Sequence, residues 1–240
     1  MSGNYLAVQA LGFATGSVLF AMLAILAWRA ERNTVEPRYG TRAAALGFLW
    51  NLGSLIRYLG LLAGLPGSGL TVRLGSALAW CAIAILPTAV FLLLRRAAWG
   101  QTWRATASRY FRRLSCLIAA VLTLGFLLTA WSASMYVDLP VPGSAGPLSI
   151  TFHTVMHLSA YNLVLHVIAG VVLTPGLPLH AAGKAYSKTV LLWMAGLGVL
   201  LMISIHGGLS PGVQSVMETA TQQSTIPVAI ISLVYLARFR

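Results

Sequence analysis

The chain has 240 residues, of which 58% are hydrophobic and only 8% charged. A water-soluble domain carries roughly 25% charged residues, so this composition excludes a globular protein with a polar surface all round. The net charge of +12 does not point to nucleic acid, because the basic residues fall in short clusters between long apolar runs, with no basic face interleaved by aromatics.

A membrane helix needs about 20 predominantly apolar residues to cross some 30 Å of hydrocarbon. On that template the spacing predicts seven transmembrane helices, near 5–28, 43–64, 72–95, 114–136, 150–173, 188–206 and 215–237, as one all-α polytopic domain covering 1–240. The first stretch has no basic residues before it and Arg29 and Arg32 after it, so it reads as a retained span and not a cleaved signal. Pro87 in the third span predicts a kink. Cys81 lies midway down that span and Cys116 near the inner end of the next, which argues against a disulfide. Between the third and fourth spans, Trp99, Trp103 and Tyr110 alternate with arginines and read as an interfacial segment on anionic headgroups. Asp138 belongs to an outer loop. The seventh span needs the polar stretch Val216–Gln223 to reach full length, because the apolar run from Ile226 to Ala237 is too short alone. Pro227 is expected to bend it.

The positive-inside rule sets the direction. With the N-terminus outside and the C-terminus cytoplasmic, fourteen of the sixteen basic residues fall on the inner side; Arg73 lies outside and Arg57 inside a span. This is the pattern of a multi-pass protein of a bacterial inner membrane. No internal repeat appears, which argues against an inverted-repeat transporter.

Ionisable groups within spans are costly, so each is a candidate for function. His153, His157 and Tyr161 recur every four residues and share one face of the fifth span, while His166 lies deeper on the other side, one turn from Asn162. His206 ends the sixth span on the same outer side. An H-x-x-x-H pair presents two imidazoles from one helix face and can clamp a metal, making His153, His157 and His206 the metal candidates; the alternatives are hydrogen-bonded structural histidines and a proton- or ligand-sensing role. Glu218, Gln222 and Thr225 or Ile226 follow helical spacing as a polar stripe in the last span, and this carboxylate with the amides of Gln222 and Gln223 must face protein or a water-filled cavity; the alternative is interhelical hydrogen bonding that needs no ligand. Arg57 either snorkels outward or pairs with Glu218, with Asp138 as the second choice. By depth, all seven could line one outward-facing site. No G-x-S-x-G, phosphate-cradling loop or H-E-x-x-H occurs, and four acids supply no carboxylate dyad, so no enzyme is expected.

The run Glu218-Thr-Ala-Thr-Gln222-Gln223-Ser-Thr225-Ile-Pro227, followed by an apolar stretch and Arg238-Phe239, resembles the last span of bacterial sensor histidine kinases with an N-terminal seven-span membrane region. In that group the stretch reads E-x3-HH-x-S-x-P, then an apolar run and Y-R-F. Leu49-Trp50-Asn51-Leu52-Gly53, Ala84-Ile85-Leu86-Pro87 and Ala160-Tyr161-Asn162-Leu163-Val164-Leu165-His166 look similar to it as well. Gln222-Gln223 stand where the group carries paired histidines, and no kinase domain follows Arg240. The resemblance implies a sensory input module that relays a stimulus through the last helix to a cytoplasmic kinase output, in cis or in trans, as a homodimer among membrane lipids, with no cofactor. The competing reading is a copper- or haem-handling membrane protein, since His153-x3-His157 followed by Pro175, Gly176 and Pro178 is weakly similar to cytochrome oxidase assembly factors.

Overall fold

The structure is a computed structural model; it describes residues 3–32, 39–96, 102–132, 135–140, 147–173, 181–208, 210, 213, 216–217, 219–220 and 223–238. Among the described residues seven helices can be delimited: α1 (Gly3–Glu31), α2 (Tyr39–Leu62), α3 (Leu70–Arg96), α4 (Thr102–Trp131), α5 (Phe152–Leu173), α6 (Ala181–His206) and α7 (Thr225–Arg238). Five carry segments long and apolar enough to cross a membrane: Gly3–Glu31, Tyr39–Leu62, Leu70–Leu93, Ala107–Trp131 and Phe152–Val172. The apolar parts of the other two are shorter, Lys188–Ile203 and Thr225–Tyr235. The outward faces suit lipid. On α4, Leu117, Val121, Leu124 and Leu128 follow helical spacing and are all exposed, a stripe that water would not tolerate at this extent.

α3 is the central helix. Its apolar segment is 61% buried, against 33–44% for the other four long helices. The largest core cluster joins Trp50 of α2 to Ala79, Ala82, Ile83, Leu86 and Val90 of α3, and these to Leu163 of α5 and Met194 and Leu197 of α6. A second core packs Phe20 and Leu23 of α1 with Ala44 of α2 and Ala229 of α7. A third sets Ala84 against Leu122, Phe126 and Val155.

Several charges serve the helix ends. Glu31, closing α1, accepts hydrogen bonds from the Gly40 and Thr41 amides at 2.9 and 3.0 Å and from the Thr41 hydroxyl at 2.7 Å. Those amides lie in the first turn of α2, where no intrahelical carbonyl is available and an anion is favoured. Arg73 reaches across to α4, its Nη1 donating to the Ala130 and Trp131 carbonyls at 3.3 and 3.2 Å, a cation on the last turn. α2 ends at Gly64, whose φ of 77° is the left-handed cap that glycine adopts without strain.

Several sequence expectations are corrected. The fourth span does not run 114–136. It is part of a helix that starts at Thr102 and stops at Trp131, so Trp103 and Tyr110 lie on the same helix as the span; Trp99 lies outside the described residues. The outer loop holds a β-hairpin. After Met135, at φ 60°, β1 (Tyr136–Leu139) pairs antiparallel with β2 (Leu148–Thr151), Tyr136 opposite Thr151. The fifth span therefore starts at Phe152 and not at 150, with the Thr151 hydroxyl accepting the Thr154 amide at 3.0 Å as its cap. The last helical element is not one run over 215–237. The described residues 213, 216–217, 219–220 and 223 are helical, Ser224 is a turn, and α7 begins at Thr225. Pro227 falls in the first turn of α7, where its missing N–H costs nothing, so it starts a helix where a bend was expected. Cys81 and Cys116 are both free, as expected.

Candidate functional site

The hairpin end of the bundle gathers three of the predicted residues. His153 and His157, one turn apart on α5, bring their Nε2 atoms to 2.8 Å. The His206 ring, at the end of α6, stands edge-on to His157 with centroids 5.3 Å apart. The Tyr161 hydroxyl meets His206 Nε2 at 3.0 Å, completing a strip of three imidazoles and a phenol that joins α5 to α6. His153, Tyr161 and His206 are exposed and His157 is half-buried. Such a strip can exchange protons or accept a soft Lewis acid. Among the described residues, no group of three or more His, Cys, Asp or Glu is arranged to hold a metal ion.

Arg57 and Gln223 sit in a different place. The Arg57 guanidinium lies over the Tyr58 ring, 5.4 Å from its centroid, and meets no carboxylate among the described residues. Asp138, the second partner considered for it, is engaged across the hairpin by the Ser149 hydroxyl. Tyr58 is buried and stacks on Phe13 of α1 at 5.6 Å. Gln223 lays its side-chain amide over Gly12 of α1, filling the space a Cβ there would need. No contact among the described residues joins either to the histidine strip. Glu218 and Gln222 lie outside the described residues.

Gln223 belongs to a polar seam between the last helical segment and the first two helices. Gln9 of α1, with no exposed surface, donates through Nε2 to the Thr219 hydroxyl at 2.5 Å. Asn51 of α2, equally buried, donates to the Gly47 carbonyl at 2.8 Å and accepts from the Thr225 hydroxyl at 3.4 Å. Gly16 lets the Asn51 amide lie directly against the α1 backbone. Gln9 was not among the sequence candidates. An amide in an apolar run is the signal that marks it.

A second buried cluster centres on His166, which is 1% exposed. Its Nδ1 pairs with the Asn162 carbonyl at 2.8 Å, while Nε2 meets the Ser115 hydroxyl at 2.6 Å. The Ser115 and Thr88 hydroxyls pair at 2.7 Å. Phe91 and Phe111 close over the ring edge-on. This is the depth and partnership with Asn162 expected for His166, and it ties α3, α4 and α5 together. No hydropathy pattern singles out Ser115 or Thr88.

The chain matches no protein-family model and no curated protein.

Proposed function

We propose that this chain is a seven-span sensory input module of a bacterial inner membrane, N-terminus outside, which relays a stimulus from its histidine-bearing end through the last helix to a cytoplasmic kinase output. The observation that carries this reading is the polar seam. In lipid, apolar contacts do not distinguish one helix from its neighbours or from solvent, whereas an interhelical hydrogen bond does, at about 0.6 kcal/mol each on average and up to about 1.7. Gln9–Thr219 and Asn51–Thr225 hold the last helical segment against α1 and α2 through a few such bonds. Releasing a helix held by so few bonds costs only a few kcal/mol, a gap that a ligand with different affinity for two states can shift. The output would be joined in cis or in trans, with the module working as a homodimer, as the resemblance to seven-span sensor kinases implies.

The test is a fusion of residues 1–240 to a histidine kinase output, reconstituted in vesicles and assayed for autophosphorylation. Replacing Glu218 and Gln222 together by Leu should abolish the response while the helical content stays; the same is expected of Gln9→Leu with Asn51→Leu. Unchanged phosphorylation in both doubles refutes the reading.

A second reading rests on the 2.8 Å approach of His153 and His157: copper or haem handling. Stoichiometric copper or a Soret band in purified protein, lost in His153→Ala, would favour it.

A further inference from the structure

Five helices enclose a cavity of about 190 Å³ at the end of the bundle where α1 turns into α2. It exists because the facing residues of α1 and α2 are small: Ala27 and Ala30 on one side, Ala43 and Ala44 on the other. α3 and α6 close it with Val90 and Trp193, and α7 with Val228. Its polar groups are few and engaged. Glu31 is committed to the first turn of α2, and the Trp193 indole N–H donates to Ser224 at 3.0 Å. A water molecule needs two to four polar partners to stay in a cavity, whereas a dry apolar cavity of about 150 Å³ takes up benzene. An empty one forfeits the dispersion contacts of its whole lining. The surroundings supply hydrocarbon to fill it.

The mouth has a charge as well as a shape. Glu31 and Gly40 stand at the cavity's edge; Arg29, Arg32 and Arg42, each adjacent in sequence to a lining residue, do not line it and are exposed. Arginines at a membrane surface attract anionic headgroups. We propose that this cavity binds one acyl chain of an anionic phospholipid, the chain lying between α1, α2, α3, α6 and α7 and the headgroup resting against Arg29, Arg32 and Arg42. Because α7 forms one wall, the bound chain favours the docked position of that helix. The site stands whether or not the last helix signals.

Trp193 is a reporter within the wall. The full chain in detergent micelles is titrated with phosphatidylglycerol carrying a dibrominated acyl chain, and the Trp193→Phe variant serves to subtract the other tryptophans. Saturable quenching of the Trp193 signal is expected, with phosphatidylcholine of the same chain weaker by about tenfold or more. Ala27→Phe, which fills the cavity, should remove the saturable component; Val18→Phe, on an exposed face, should retain it. Equal quenching by the two lipids overturns the headgroup assignment. Saturation by free dibromostearate that phosphatidylglycerol cannot displace overturns the phospholipid assignment. Persistence of saturable quenching in a folded Ala27→Phe protein overturns the site. Should that variant not fold, phosphatidylglycerol with a diazirine chain, crosslinked to the unmodified protein, decides: adducts in 27–44 and 190–193 support the cavity, and adducts spread over the exposed face of α4 refute it.

Discussion

Gly53→Ala tests a helix contact in which backbone meets backbone. α2 and α3 cross with Gly53 against Gly75, backbone on backbone. A Cβ at Gly53 would lie 2.6 Å from the Ala79 amide nitrogen and 2.7 Å from the Gly75 carbonyl oxygen; one at Gly75 would lie 2.8 Å from both the Arg57 nitrogen and the Gly53 oxygen. Backbone atoms cannot rotate aside as a side chain can. Ordinary van der Waals contact begins at 3.4 Å, so the methyl group must drive the helices apart by about 0.8 Å locally. A gap of roughly 0.5–1 Å forfeits a quarter to a half of each facing pair's dispersion energy. Overpacking of this kind costs about 1–3 kcal/mol, offset by about 0.5–1 kcal/mol from replacing a mid-helix glycine. A net loss of about 1 kcal/mol is expected, from a range of about 0–2.5 kcal/mol. Reversible unfolding in mixed micelles measures it, with Gly196→Ala as the control, since a Cβ there meets open space. The control should be neutral or slightly stabilising. A Gly53→Ala protein as stable as the control would refute the reasoning. The Gly53/Gly75 double variant should lose less than the sum of the two singles, because both methyl groups act on one contact.

Three further outcomes follow from single contacts. Glu31→Ala uncaps α2 and should cost about 1 kcal/mol, read in the same unfolding assay; Glu31→Gln, which still accepts a hydrogen bond, should recover part of it. Ser115→Ala removes the 2.6 Å partner of His166 and leaves a buried imidazole nitrogen short of a bond, at about 1–3 kcal/mol; an unchanged midpoint would show that the cluster does not hold α4 to α5. Tyr161→Phe breaks the exposed bond to His206 and should change stability by less than about 0.5 kcal/mol, while altering the histidine ring resonances seen by NMR. A large loss there would mean that the strip is structural.

The apolar runs made the long helices legible, because a span must satisfy every backbone group within itself and so needs an unbroken stretch of a set length. That argument located α1, α2 and α3 to within a few residues at either end. It failed where local backbone chemistry decides the boundary. The hairpin pairing of Tyr136 with Thr151 claims residues that hydropathy assigns to the fourth and fifth spans, and the turn at Ser224 divides a stretch that had to be continuous to cross. The histidine strip was half legible. His153, His157 and Tyr161 share a face by helical spacing alone, but their meeting with His206 depends on how α5 lies against α6.

From the sequence alone came the solvent of this protein, its helical class and the polar residues too costly to leave in lipid. Tertiary structure decided which helix is central and which polar groups meet. Lipid tails are as apolar as leucine, so hydropathy carries no mark of the inner and outer faces of α3 or α4. Only packing separates buried Leu122 from exposed Leu124, turns Gln9 and Asn51 toward the last helix, and leaves four alanines of α1 and α2 around a space they cannot fill.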